Sequence, residues 1–349
     1  MELATVFEAG MPALYAKFGS RLGDAQRRAL GAVRAWRTGA LGHAVLDCGD
    51  CGSRHLQMRC CANRSCPRCQ QHSASAWLER QHNKLLPVAY FLVTFTLPAQ
   101  LRGLAQSNQR IVYDALFEAA SQSLIQVGLN RTQALRLGLC AVLHTHSRRL
   151  DYHPHLHVVV PGGGIDPERR QWRAIGANYL FAANNLAKVF RAKMIRALAR
   201  ADLALPPGVP GNWVVDCRSV GQGLPALNYL SRYLYRGVVA ENNIVGLDTE
   251  QGTVTFQYRQ SNTEAIKTRT LPIAEFLYKL LQHVLPKGYR GVRDFGFLHG
   301  NAKRLPITLQ IALRVILPDA PPKTPRVFSC RTCGGPMVFC YFVPPRAQT

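Results

Sequence analysis

The run His153-Pro154-His155-Leu156-His157 leads into Val158-Val159-Val160 and is closed by Pro161-Gly162-Gly163-Gly164. It constrains the chain more than any other segment. The apolar run and its Pro-Gly stop bound a strand. A strand sends alternate side chains to one face, so His155 and His157 point the same way and Leu156 turns into the packing. Two imidazoles on one strand face are half of a divalent-metal site. An ion held by two ligands would be loose, so a third is expected. His144 and His146 share a face of the strand predicted over Leu137 to His146, and His144 is favoured. His146, His153 and Asn228 stay open. Five histidines within positions 144–157 are hard to assign to packing alone.

Downstream, Tyr229-Leu230-Ser231-Arg232-Tyr233 falls in a predicted helix over 225–237. Its two phenols, at i and i+4, share one helix face. Spacing alone favours an aromatic pair packed on a sheet. Beside a metal site, the same pair suggests DNA cutting through a covalent phosphotyrosine link. Arg232 and Arg236, and Lys188 and Arg191 upstream, are candidate phosphate contacts; Tyr235 points elsewhere.

Charge supports a polyanionic partner. Forty-three Lys and Arg stand against 20 Asp and Glu, a formal net charge of +23. That exceeds what solubility needs, and nucleic acid outranks an anionic membrane. The first residues show no signal peptide. No run of about 18 apolar residues predicts a membrane span, so a cytoplasmic, nucleoid-associated protein without a membrane partner is expected.

The chain has 11 cysteines, six of them between Cys48 and Cys69. Paired clusters speak for metal rather than a secreted disulfide framework. Cys48-x2-Cys51 followed by Cys66-x2-Cys69 has the pairing of a tetrahedral structural zinc site. Cys60, Cys61, His43, His55 and His72 complicate the allocation, and a second ion is compatible with it. Cys330-x2-Cys333-Gly334-Gly335 is half of a zinc knuckle. Cys340 could add a third ligand, and the half-site could close against a remote residue or join the first module. Cys140 and Cys217 read as core cysteines.

Periodicity predicts helices over residues 1 to about 40, broken near Gly19-Ser20, and over Ser73 to Leu86, 101–128, 172–200 and 272–285. Strands are predicted over Tyr90 to Leu97, Leu137 to His146, His153 to Val160, Trp213 to Arg218 and Val254 to Arg259. The order implies an α+β fold, an antiparallel sheet backed by helices. Four regions follow. Residues 1–83 form a helical, Cys-rich zinc-binding and DNA-binding domain. Residues 84–245 carry the nuclease site, 246–317 are accessory, and 318–349 are a Pro-rich tail with a Cys pair.

These blocks resemble a known family. His155-Leu156-His157 is similar to the paired-histidine motif of the HUH endonucleases. The chain resembles the two-tyrosine rolling-circle transposases, the family named after insertion sequence ninety-one. The likeness is carried by Arg37-Thr38 with Leu41-Gly42-His43 and Cys48-Gly49-Asp50-Cys51-Gly52, and by Cys61 to Gln70. It continues through Leu143-His144-Thr145-His146, His153 to His157, Pro161 to Gly164 and Tyr229 to Tyr233. His283 to Gly288 and the Cys330–Cys333 pair extend it to the C-terminus. Two positions depart: His146 stands where an aromatic residue is frequent, and Ser65 where a basic one is.

The resemblance implies a ferredoxin- or palm-like HUH domain, with His155, His157 and His144 on Mg²⁺ or Mn²⁺. It implies Cys48, Cys51, Cys61, Cys66, Cys69, Cys330 and Cys333 on structural Zn²⁺. It implies Tyr229 and Tyr233 as nucleophiles that join the 5′ phosphate of single-stranded DNA at element ends and target. Oligomeric state stays open, a homo-oligomer included. The same chemistry would suit a replication initiator or relaxase; a non-catalytic zinc DNA-binding protein is the third reading.

Overall fold

The computed structural model describes residues 3–35, 38–61, 63, 66, 69, 79, 81, 84–132, 135–169, 171–175, 181–223, 225–226, 228, 238–260, 263, 265–302, 304–314 and 328–345. Helices α1 (Leu3–Phe18) and α2 (Asp24–Arg34) open the chain, separated at Gly19–Arg21 by one tight turn. A hairpin of β1 (His43–Cys48) and β2 (Arg54–Met58) follows. Strand β3 (Ala89–Thr96) ends before Pro98. Asn108 divides the next helix into α3 (Arg102–Ser107) and α4 (Gln109–Thr132). Strands β4 (Gly138–His146) and β5 (Tyr152–Pro161) form the antiparallel pair that the histidine pattern predicts.

The helix expected over 172–200 is shorter than its pattern. Gln171–Ala174 form strand β7 against β6 (Gly163–Asp166), and α5 spans Ala183–Ala199. Trp172 gives the physical reason, since its ring meets Phe297 edge-on at 6.0 Å. Beyond β8 (Val214–Gln222) come β9 (Ile244–Asp248), β10 (Thr253–Arg259) and β11 (Ile266–Pro272), an antiparallel meander that runs into α6 (Ile273–Leu281). The chain closes with β12 (Val292–Gly296), α7 (Arg304–Ala312) and β13 (Met337–Val343). The helix expected over Ser73 to Leu86 and the tail from Pro318 to Arg326 lie largely or wholly outside the described residues.

The central sheet has strand order β12-β4-β5-β3-β8, with every neighbour antiparallel. Its two faces differ because the strand sequences alternate. Phe91, Val93 and Phe95 of β3, Leu139 and Ala141 of β4, and Leu156, Val158 and Val160 of β5 face one way. Helices α4 and α5 cover them with Tyr113, Leu116, Phe117, Phe190 and Met194, which makes the main core. On the opposite face, Tyr90, Leu92, Cys140, Val142 and Val159 form a smaller cluster with Leu85 and Ala226. Along that second face the apolar residues give way to Thr94, Thr96, His144, His155 and His157, all toward one end of the sheet. A polar end on a sheet otherwise buried on both sides is where a site can open.

A second core joins the first helices to residues 238–284. Leu3, Phe7, Leu14 and Leu30 of the first helices pack with Val254 and Phe256 of β10 and Ile273, Phe276 and Leu277 of α6. Phe18 stacks on Tyr278 at 4.2 Å. The turn between β4 and β5 docks this unit to the central sheet. Asp151 accepts from Arg269 of β11 at 3.0 Å and from Lys279 of α6 at 3.2 Å, and Leu150 lies in the second core. A mixed α+β fold results, with antiparallel sheets, helices and a Cys-rich cluster.

Candidate metal centres

Directly opposed residues in an antiparallel pair share a face, and His144 is opposed to His155. His157, two residues along β5, lies on that face beside Val142 on one side and Thr94 on the other. The three rings converge. Centroids are 5.4 Å apart for His144 and His155, 4.7 Å for His144 and His157, and 4.7 Å for His155 and His157. One ligand atom from each ring lies within 4.8 Å of the others. His144 is therefore the third member of the group. His146 stacks on His144 at 5.7 Å, and His153 is held elsewhere, its Nδ1 accepting from Arg102 Nη2 at 3.0 Å.

Hydrogen bonds behind the cluster fix which nitrogen each ring can offer. The His155 Nδ1–H donates to the His153 carbonyl at 2.7 Å, and His157 Nδ1 meets Thr94 Oγ1 at 3.0 Å. With Nδ1 engaged, the nitrogen each ring can offer an ion is Nε2, the arrangement that orients metal-binding imidazoles. Burial, reinforced by the neighbouring His144, holds His155 down to about 3 and puts His157 well below the ordinary imidazole range. Both rings are neutral at pH 7, the form that ligates. A convergent set of three imidazoles, two of them held neutral, fits a divalent cation.

The cysteines divide differently from the expected pairing of Cys48 and Cys51 with Cys66 and Cys69. Cys48 and Cys51 meet Cys330 and Cys333 instead, with Sγ–Sγ distances of 3.5 Å for Cys48–Cys333 and 3.7 Å for Cys51–Cys330. The reason is a strand pairing. β13 runs antiparallel beside β1, from His43 opposite Val343 to Cys48 opposite Met337, and so delivers the C-terminal pair to the first. The two half-sites share one turn geometry. Gly52 N–H donates to the Cys48 carbonyl at 3.0 Å, and Gly334 N–H to the Cys330 carbonyl at 2.9 Å. Gly52 and Gly334 have φ of 69° and 78°, the left-handed conformation that favours glycine.

Four sulfurs on two Cys-x2-Cys-Gly turns fit a tetrahedral ion. Backbone N–H groups of Cys333 and Thr332, with His55 beside them, hold the Cys330 thiol down to about 5, toward the thiolate that binds metal. His55 Nε2 lies 3.4 Å from Cys330 Sγ. Cys340 is exposed, with its Sγ directed to the Val338 carbonyl.

Cys61, Cys66 and Cys69 form a separate three-thiol group, with Cys61 Sγ 3.6 Å from Cys69 Sγ. Cys66 and Cys69 are buried against the second core, and burial pushes the Cys69 thiol up. His72 lies outside the described residues, as do Tyr229, Arg232, Tyr233, Tyr235 and Arg236. Lys188 and Arg191, read as candidate phosphate contacts, lie on helix α5. That helix covers the face of the sheet opposite the histidines, drawn there by Leu186, Phe190 and Met194. Sequence reasoning missed Thr94 and Arg102. The signal for Thr94 was present, because Thr94 and Thr96 are the hydroxyls that end an otherwise apolar strand; nothing in the local pattern marks Arg102.

Two families match most of the chain. A family described as "Transposase zinc-binding domain" matches residues 6–97, and one described as "Putative transposase" matches residues 138–305. The chain is 35% identical over 327 residues to the putative transposase y4qJ of Sinorhizobium fredii (strain NBRC 101917 / NGR234), covering 87% of this chain and 81% of that protein. It is 30% identical over 333 residues to the transposase for insertion sequence element IS801 of Pseudomonas savastanoi pv. phaseolicola, covering 86% and 80%. Among solved structures, the conjugative relaxase TrwC in complex with oriT DNA aligns with a TM-score of 0.27 at 15% identity, over 63% of this chain and 71% of that chain. Among the described residues no helix is long and apolar enough to cross a membrane. With two transposases 30% or more identical over most of its length, and the zinc-binding region of such enzymes at its front, the chain belongs to the IS91 family of HUH rolling-circle transposases.

Proposed function

We propose that the enzyme nicks and transfers single-stranded DNA at the three-histidine centre, with Tyr229 and Tyr233 as nucleophiles and His144, His155 and His157 holding one Mn²⁺ or Mg²⁺. The observation that carries this reading is the convergence of three imidazoles, two of them tied back through Nδ1. Donor chemistry favours Mn²⁺, since Mg²⁺ prefers a shell of oxygens. When bound, the cation would withdraw charge from the phosphoryl group under attack. The residues of this chain do the rest. One tyrosine oxygen forms a bond to phosphorus, the bond from phosphorus to the 3′ oxygen breaks, and that oxygen leaves with a proton as a 3′-OH. The 5′ phosphate stays joined to the tyrosine. A second 3′-OH can reverse the same bond changes, and the other tyrosine serves the paired strand.

Thr94 and the His153 carbonyl keep the ring nitrogens aimed, so no rotation of His155 or His157 is needed when substrate arrives. The four-cysteine ribbon, and the Cys61, Cys66 and Cys69 group with a fourth ligand from outside the described residues, suit structural Zn²⁺. Domain limits of 1–83, 84–245, 246–317 and 318–349 fit this division of tasks if Cys330 and Cys333 are assigned to the first.

The test is end-labelled single-stranded DNA from the flanks of the gene, incubated with Mn²⁺ or Mg²⁺ and read on a denaturing gel. A metal-dependent covalent adduct, lost in the Tyr229→Phe/Tyr233→Phe double variant, is expected, and the single variants rank the tyrosines. Absence of adduct from zinc-loaded folded protein on verified element ends would replace this reading with a DNA-binding remnant.

A further inference from the structure

We propose that Arg102 and His153 form a binding position for a DNA phosphate beside the three-histidine centre. The proposal rests on the nuclease reading for its substrate class, and its own support is the company Arg102 keeps. Strand β3 ends at the edge of the histidine face. Leu97 N–H then donates to the Pro154 carbonyl at 3.3 Å, and one tight turn over Ala99–Leu101 brings the chain back beside the start of β5. Leu101 and Ala105 are buried in the main core. They fix the backbone on either side of Arg102, whose side chain is half-buried.

The guanidinium has an unusual set of neighbours. Nη2 donates to His153 Nδ1 at 3.0 Å. Nε is buried and has no hydrogen-bond partner. Among the described residues no carboxylate pairs with Arg102. Arg269 and Arg293, also half-buried, are paired with Asp151 and Asp114; Arg191 shares the unpartnered Nε but lies on α5, across the sheet from the histidines. A guanidinium offers five donors in a planar fork suited to two oxygens of one phosphate. At Arg102 that fork faces the His153 ring instead of a paired carboxylate.

His153 completes the position. Because its Nδ1 accepts from Arg102, its proton sits on Nε2, which makes the ring a neutral donor and removes it from the set of metal ligands. Its centroid is 5.3 Å from that of His155, and its carbonyl holds His155 Nδ1. The group that aims a metal-binding ring therefore also carries an arginine-oriented donor next to it. A phosphodiester at the histidines would lie within reach of both.

The test measures single-stranded DNA affinity against salt by fluorescence anisotropy, using a labelled oligothymidine, zinc-loaded full-length protein carrying Tyr229→Phe/Tyr233→Phe, and Mn²⁺. One phosphate contact contributes about 0.7 to the slope of log affinity on log salt for single strands. Arg102→Ala is expected to lower the slope by about that amount and to weaken binding about tenfold at low salt. Arg102→Lys restores the slope, and Mn²⁺ affinity measured by calorimetry stays unchanged. Arg200→Ala serves as control, because Arg200 pairs with Glu118 on the far helices. A slope for Arg102→Ala equal to that of the control overturns the proposal. So does a loss of Mn²⁺ affinity in both Arg102→Ala and Arg102→Gln, which would make the residue a structural prop. Wild-type protein that gives no covalent adduct would refute the nuclease reading and leave the slope comparison intact.

Discussion

Two of the candidate metal centres are built by opposite routes. The histidine centre is local: His144, His155 and His157 come from one antiparallel pair, β4 and β5, joined by a short turn. The four-cysteine centre joins residues 279 and 285 positions apart, and it exists because β13 pairs with β1. In the first, the sheet sets the ligand positions before any ion arrives, since the strands are buried on both faces by apolar side chains. In the second, β1, β2 and β13 make a small sheet with Leu56, Val338, Phe339, Tyr341 and Phe342 exposed. With so little buried apolar area, a bound ion would supply much of the folding free energy. One centre is a site on a fold; the other is a fold made by a site.

The largest expected effect breaks the first centre and spares the fold. His155→Ala should lower metal-dependent adduct formation by about 10³-fold, the scale of several kcal/mol of lost charge stabilisation. Far-UV circular dichroism should remain that of the parent. Global unfolding of this variant would contradict the claim that the sheet, not the ion, positions the histidines.

Breaking the second centre should give the reverse pattern. Cys330→Ser/Cys333→Ser should release one equivalent of zinc and unfold the ribbon. Mn²⁺ affinity at the histidines should change by less than about threefold, because sites without shared partners are close to independent. Metal analysis with limited proteolysis of β13 reads the first effect, and calorimetry the second. Full zinc retention would show that the remaining thiols or His55 can close the site.

The same contrast explains what could be read in the chain. The antiparallel β4 and β5 pair and the shared faces of His155 with His157 and of His144 with His146 follow from period two and one turn, all local properties; the choice between His144 and His146 does not. Nor does the partition of the cysteines. Cys48-x2-Cys51 and Cys66-x2-Cys69 have the spacing of a single finger, yet β13 outcompetes the second pair, and strand pairing over such a separation leaves no periodic mark. Trp172 misled for a related reason: its segment has helix-like spacing, and only the distant Phe297 makes it a strand.

A tenfold to hundredfold effect tests preorganisation in the histidine centre. Thr94→Val keeps the side-chain volume and removes the oxygen that meets His157 Nδ1. Loss of such an outer hydrogen bond typically costs about 10–100-fold in metal affinity. An unchanged Mn²⁺ dissociation constant would show that packing alone orients the ring.

Acid should separate the centres more gradually. His155, and His283 sealed beside Thr145, are both held down to about 3 by burial, against an ordinary value of 6.5. In that window the unfolded chain binds more protons than the folded one, so stability rises with pH. Metal-free protein should therefore lose Tm as pH falls from 6.5 toward 4, while any His155 still folded stays neutral and ligating. The thiols must shed protons to bind zinc, so zinc affinity should fall steeply between pH 7.5 and about 5.5, while Mn²⁺ affinity changes little. Equal pH slopes at the two centres would show that the histidines are less buried than their packing implies.

The smallest effect lies where the local site meets the second core. Burial pushes the Asp151 carboxyl up, but hydrogen bonds from Arg269 and Lys279 outweigh it and hold the group below its ordinary value. That contribution is fully present above the unfolded carboxylate value of 3.8 and is lost as pH falls from there through the lower folded value. The side chains keep partial exposure, at 32% for Asp151, 22% for Arg269 and 25% for Lys279. Solvent screening therefore limits the network to about 1 kcal/mol. Asp151→Asn should lower Tm by a few degrees at most, and 1 M salt should shrink the difference. The mutation touches no ligand, yet it loosens the turn that joins His146 to Tyr152. If adduct formation falls while Mn²⁺ affinity holds, docking of the β9–β11 and α6 unit serves DNA placement rather than the metal. If both hold, the histidine pair is autonomous, as its local construction implies.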